Sequence, residues 1–78
     1  MLTGKKFRVQ RATLALDVVN GDRKAITIPV GAIIKVISGP TESDHMVNVT
    51  WEGKIVEMFA IDVDVRGTEI SEPQHAAI

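Results

Sequence analysis

The segment whose residues could carry metal chemistry runs from Asp62 to Gly67, where two aspartates stand two positions apart. Calcium loops open in this way, because oxygen ligands recur at every second position and a glycine at the sixth place permits the sharp turn. Such a loop also needs an oxygen ligand at its fifth position and usually a glutamate at its twelfth, and these places hold Arg66 and Pro73. The sequence therefore predicts a helical turn with a local aspartate–arginine pair and no metal site.

The other residue types that carry chemistry are isolated. His45 and His75 have no neighbouring partner for a metal site or a dyad, and the serines lie beside turns or near the C-terminus without an activating base. The chain has no cysteine, which excludes disulfides, thiolate ligands and a cysteine nucleophile. Its six glycines stand singly, so no glycine-rich phosphate loop is present. We expect a protein without enzymatic activity, cofactor or bound metal.

Charge is distributed unevenly along the chain. Residues 1–24 carry six basic against two acidic side chains, and the rest carries three basic against eight acidic, although the total is only −1. This asymmetry fits a nucleic-acid contact, and it equally fits oppositely charged strands lying side by side or subunits attracting one another. A nucleic-acid contact would use Lys5, Lys6, Arg8, Arg11, Arg23 and Lys24.

Length and hydropathy indicate one small domain. At 78 residues, roughly 60% of the unfolded surface can be buried, so the core is thin. No apolar segment reaches the length of about 20 residues that spans a bilayer, and nothing resembles a signal peptide. We expect a cytoplasmic protein that does not enter a membrane, with one domain over residues 1–70 that includes a basic segment 1–11. Residues 71–78 are expected to form a flexible tail.

Alternating apolar and polar residues predict short strands in the first half of the domain. Residues 12–19 form one, with Ala12, Leu14, Leu16 and Val18 on one side. Asn20-Gly21 predicts a turn, which residues 22–24 extend into an exposed polar loop. Residues 25–28 form a second strand that ends at Pro29, and residues 32–38 form a central strand that ends at Gly39-Pro40.

The clearest local pattern is a β-hairpin. Residues 46–51 and 54–59 alternate on either side of the two-residue turn Glu52-Gly53. Residues 60–64 suit one turn of 3₁₀ helix, and residues 65–70 supply a last strand. Five to six such short strands would expose an apolar face and two edges in an open sheet, which favours a small all-β barrel.

This layout resembles that of SH3-like barrels over residues 12–70. ITIPVGAIIKVIS is similar to the diverging turn and the strand after it, and HMVNVTWEGKIVEM to the two strands of the distal hairpin. FAIDVDV and RGTEI correspond to the 3₁₀ turn and the closing strand. The chain has no tyrosine and begins the hairpin with His45-Met46, so it lacks the aromatic residues that bind proline-rich peptides. It is most similar to small bacterial proteins with an SH3-like barrel, a resemblance that implies no activity.

Two arrangements of the hairpin remain open, and they lead to different functions. If Trp51 and Phe59 point inward, they belong to the core. If Val56 and Met58 form the core, Ile55 and Phe59 make an exposed apolar patch that Met46 extends. The sequence therefore predicts a non-enzymatic protein-interaction or self-association module that uses an open strand edge and a contact surface of Met46, Ile55, Phe59 and Trp51. A nucleic-acid-binding barrel that uses the basic residues is the alternative.

Overall fold

A computed structural model describes residues 3–40 and 45–70, which form seven strands and one short helix. The elements are β1 (Lys6–Val9), β2 (Thr13–Val19), β3 (Asp22–Ile28), β4 (Ile33–Ser38), β5 (Met46–Trp51), β6 (Lys54–Phe59), α1 (Ala60–Arg66) and β7 (Gly67–Ile70). The strands form one antiparallel sheet in the order β3-β2-β6-β5-β4-β1-β7, which does not close between its end strands. The all-β class is confirmed. The strand count exceeds the expected five to six, and the expected 3₁₀ turn is a seven-residue α-helix.

β1 is the strand that the sequence pattern did not predict. Its basic side chains obscure the alternation that buries Phe7 and Val9 and leaves Arg8 exposed. The strand lies between β4 and β7, and Phe7 is the cross-strand partner of Ile34 on one side and of Glu69 on the other. The basic N-terminal segment is thus an integral part of the sheet. The predicted tail over residues 71–78 lies outside the described residues.

The hairpin β2–β3 turns at Asn20-Gly21, as predicted. Both residues have positive φ, 53° and 83°, which suits a two-residue turn between twisted strands. The predicted polar loop over residues 22–24 is wrong, because β3 begins at Asp22, the cross-strand partner of Val19. These three charged residues are exposed on β3, which is an edge strand. Charged side chains are compatible with an edge strand, because they remain in solvent there.

The core lies on one face of the sheet, called here the inner face. Each of the first six strands contributes to it, and Val63 of α1 covers one end. The buried apolar residues, all at most 4% exposed, are Phe7, Val9, Ala15, Ile28, Ile34, Val36, Val47, Val49, Val56, Met58 and Val63. A single sheet can bury these residues against one another only by curving around them.

The apolar side of β2 faces away from this core. Thr13 and Ala15 are buried, whereas Leu14 and Val18 on the alternate side are 45% and 44% exposed. The sequence correctly predicted that the larger apolar residues lie on one side of this strand. In the structure that side faces away from the core. β2 therefore presents its bulkier apolar residues on the second, outer face of the sheet.

Gly39, which follows β4, combines a positive φ of 88° with close packing. A Cβ atom there would lie 2.7 Å from the Met46 carbonyl oxygen, whereas one on Gly31, with φ of 90°, would meet nothing within 4 Å. Both positions disfavour side chains on conformational grounds, but only Gly39 adds a steric clash with backbone.

We predict that Gly39→Ala lowers the free energy of unfolding by more than Gly31→Ala does. The backbone conformation costs each variant about 1–2 kcal/mol, and the clash adds on the order of 1 kcal/mol or more at residue 39. Urea unfolding of both variants and the wild type measures the difference. Equal losses would show that the contact with the Met46 carbonyl does not restrict this position.

Candidate interaction surface

The register of the β5–β6 hairpin decides which of its side chains are buried. Val47 is the cross-strand partner of Met58, and Val49 that of Val56. All four are at most 1% exposed. Since side chains alternate between the two faces of a strand, the residues between them must point to the outer face.

The outer residues of the hairpin leave an apolar surface exposed. Ile55 is 56% exposed and Phe59 is 41% exposed, and Met46, the partner of Phe59 in the register, is half-buried. Of the two arrangements that the sequence left open, the structure has the one with Val56 and Met58 in the core. Three of the four predicted contact residues therefore share one face.

Trp51, the fourth predicted contact residue, lies on the other face. It is half-buried and packs against the edge of the core. Its cross-strand partner is Lys54, whose Nζ lies 5.6 Å from the centre of the indole ring. This cation–π contact covers part of the ring at the tip of the hairpin.

Strand β2 extends the exposed apolar surface beyond the hairpin. Leu16 is the cross-strand partner of Glu57 in β6. Continuing this antiparallel register by two residues in each direction aligns Leu14 with Phe59 and Val18 with Ile55. Three adjacent strands thus build one surface, which we call the outer apolar face: Leu14, Leu16, Val18, Met46, Ile55 and Phe59.

The sequence did not single out the β2 residues of this surface. The signal available was the alternation of Leu14, Leu16 and Val18, which is typical of a strand side that packs against something. The small residues between them gave no reason to choose the opposite side as the core. Only the pairing of β2 with β6 assigns the three residues to the exposed face.

One carboxylate lies in the middle of the outer apolar face. The Glu57 Oε1 atom is 3.2 Å from the Arg23 Nε atom of β3, and the Glu57 side chain is only 22% exposed. Beside it, the Asn48 Nδ2 atom donates a hydrogen bond of 2.9 Å to the Ser38 Oγ atom. The centre of this face is therefore polar but electrically neutral, with its acid and base facing each other.

The six basic residues proposed for nucleic-acid contact do not form one cluster. Arg23 and Lys24 lie on β3, which four strands separate from β1 in the order of the sheet. Lys6 and Arg8 lie on β1 itself, and Arg11 follows in the connection to β2. Arg23 forms an ion pair with Glu57, and Lys5 forms one with Glu69 at 3.5 Å.

Both aspartates of the segment 62–67, Asp62 and Asp64, lie on α1. Asp62 Oδ1 is 3.6 Å from Arg66 Nε, the local acid–base pair that the sequence predicts. Among residues 3–40 and 45–70, no group of three His, Cys, Asp or Glu side chains is arranged to hold a metal ion. The helix in this part of the chain is too short to cross a membrane.

Comparisons of this chain with protein-family models, curated proteins and solved structures found no match.

We predict that side chains on the two opposite faces of β6 respond differently to truncation to alanine. Met58→Ala should lower the free energy of unfolding by about 2–5 kcal/mol, because it empties a core position. Ile55→Ala, which removes a side chain that is more than half exposed, should cost less than about 1 kcal/mol. Chemical denaturation of the two variants tests the assignment. A larger loss for Ile55→Ala would reverse the inner and outer faces of the hairpin.

Proposed function

We propose that this chain is a non-enzymatic interaction module that binds a protein surface through its outer apolar face. The observation that carries the proposal is the burial of Val56 and Met58, which leaves Ile55 and Phe59 exposed beside Leu14 and Val18. Single exposed apolar residues are ordinary on protein surfaces. A contiguous set on adjacent strands is typical of an interface.

Burial of this face would contribute several kcal/mol to binding. Full burial of a Val, Leu, Ile or Phe side chain contributes about 1.5–3 kcal/mol, so a residue that is half exposed retains roughly 1 kcal/mol for a partner to recover. Four such residues lie on two neighbouring strands, and Met46 and Leu16 add partly exposed surface between and beside them. At the polar centre Glu57 faces Arg23, although the Glu57 Oε1 atom has no hydrogen-bond partner among the described residues.

We also propose that the sheet is a variant of the SH3-like frame. The features that support this are the hairpin β5–β6, the short helix directly before the last strand, and the Pro29–Gly31 turn that leads into β4. The two additions are the strand β1 and the extension of β3 to Asp22. The peptide-binding aromatic residues of signalling SH3 domains are absent from this sequence, so the proposed binding surface is a different one.

The test compares Phe59→Ser with Ile61→Ser. Ile61 is 68% exposed on α1 and does not belong to the outer apolar face, so it controls for the loss of one exposed apolar residue. We expect Phe59→Ser to reduce the apparent mass in sedimentation, or the capture of a host protein by the immobilised chain, while Ile61→Ser leaves both unchanged. A wild-type chain that stays monomeric and captures no protein contradicts the proposal.

A nucleic-acid contact is the second candidate, and a separate observation favours it. Lys6 of β1 and Lys35 of β4 are direct cross-strand partners, and Arg8 follows on the same face. Three basic side chains thus lie on one face of two adjacent strands, an arrangement suited to contacts with phosphate groups. The sequence proposed Lys6 and Arg8 for this contact, and the register adds Lys35.

The second candidate predicts binding that weakens steeply with salt. Neutralising Lys35 should weaken binding of a short DNA or RNA duplex and reduce the dependence of the affinity on salt by about one charge. Lys24→Gln on the distant strand β3 is the matched control and should have no such effect. Titrations of Lys35→Gln, Lys24→Gln and the wild type at several salt concentrations measure this. The absence of any binding at low salt would refute the candidate.

A further inference from the structure

The partner that best fits the outer apolar face can be deduced from its charge. Near its centre, Arg23 and Glu57 form an ion pair of 3.2 Å, and the basic residues on the same side of the sheet, Lys6, Arg8 and Lys35, lie beyond β5 on β1 and β4. A strongly charged partner would gain no ion pair at the centre and would have to desolvate its own charges. A second copy of this chain brings a centre of the same neutral, apolar character, with its basic residues to one side of the contact.

We infer that the outer apolar face binds a second copy of this chain, face to face, so that the two sheets form the layers of a β-sandwich. The inference rests on the proposed function and specifies its partner. A two-fold axis would place the same patch on both sides of the interface, as in most homodimers. Two sheets packed in this way lie about 10 Å apart with interdigitating side chains.

The size of the face agrees with a weak dimer. Strands β3, β2, β6 and β5 are spaced by about 4.8 Å and are about 20 Å long, so together they present on the order of 400 Å² in projection. Side-chain relief makes the accessible area larger than the projected area. Stable interfaces bury about 800 Å² per partner, so this face lies at or below that value. The interface therefore lies at the small end of the range for specific complexes, and we expect the dimer to be weak.

Pairing through the open edge of the sheet is a poorer explanation of the same surface. β3 begins with Asp22, Arg23 and Lys24, all exposed, and charges of this kind hinder the addition of another strand. Edge pairing would also leave Ile55, which lies two strands away from β3 in the order of the sheet, in contact with solvent. Face-to-face packing covers the exposed residues of β2 and β6 together.

Single cysteines distinguish these geometries, because the natural chain has none. Leu16→Cys places a thiol in the centre of the outer apolar face, Lys24→Cys places one on the edge strand β3 on the side away from that face, and Ile61→Cys places one on α1. Under mild oxidation at micromolar concentration, we expect Leu16→Cys to form the disulfide-linked dimer at least about tenfold faster than Ile61→Cys, since association raises the effective thiol concentration. Adding Phe59→Ser to Leu16→Cys should abolish this advantage.

Each other outcome overturns the inference. Equal rates for Leu16→Cys and Ile61→Cys indicate random collision, and a faster rate for Lys24→Cys than for Leu16→Cys indicates edge pairing. Circular dichroism checks that the variants fold, and Thr50→Cys, opposite Ile55 on the outer face, replaces Leu16→Cys if that variant does not. Sedimentation of the wild type over a range of concentrations provides the independent measurement.

The same sedimentation experiment separates this inference from the proposed function. A wild type that is monomeric at all concentrations refutes the second copy as partner. If that monomer still binds another protein and loses it with Phe59→Ser, the proposed function stands and only its partner was misidentified. If neither association depends on Phe59, both proposals fail.

Discussion

Hydrogen-bond register across a pleated sheet determines where each side chain of this protein points. Val56 is aligned with Val49 on one side and with Asp17 on the other, so the facing of β6 is tied to that of its neighbours. A slip of one residue would exchange Val56 and Met58 for Ile55, Glu57 and Phe59. Because both sides of β6 carry apolar residues, hydrophobic burial alone does not exclude this slip. Glu57 opposes it, because a carboxylate moved into the core would lose its solvation and its contact with Arg23.

Local signals predicted those elements in which residue type and alternation agree. The hairpin β5–β6 has its predicted ends because Glu52-Gly53 suits a two-residue turn and both flanking strands alternate. β3 was predicted too short and β1 was missed for one shared reason. Charged residues at strand positions that face solvent resemble a loop or a basic tail in the sequence, although backbone pairing needs no apolar side chain.

Which residues form the candidate surface depends on contacts between strands that are distant in sequence. The two sides of β6 carry similar apolar residues, and in β2 the buried side with Thr13 and Ala15 is the one that residue type does not favour over Leu14. The choice between sides is made by contacts between strands far apart in sequence, such as Leu16 with Glu57. Sequence reasoning could therefore identify Ile55 and Phe59 as one of two alternatives, and it could not add the neighbouring residues of β2.

The place of β1 between β4 and the edge strand β7 also bears on how the chain folds as it is made. Lys6 pairs with Ile70, which the ribosome adds 64 residues later, whereas the hairpins β2–β3 and β5–β6 each need only their own short segment. At about 5–20 residues per second, β1 waits several seconds for its last partner. During that interval one side of β1 has no strand partner, so nascent chains of this protein should be substrates for chaperones that recognise apolar segments.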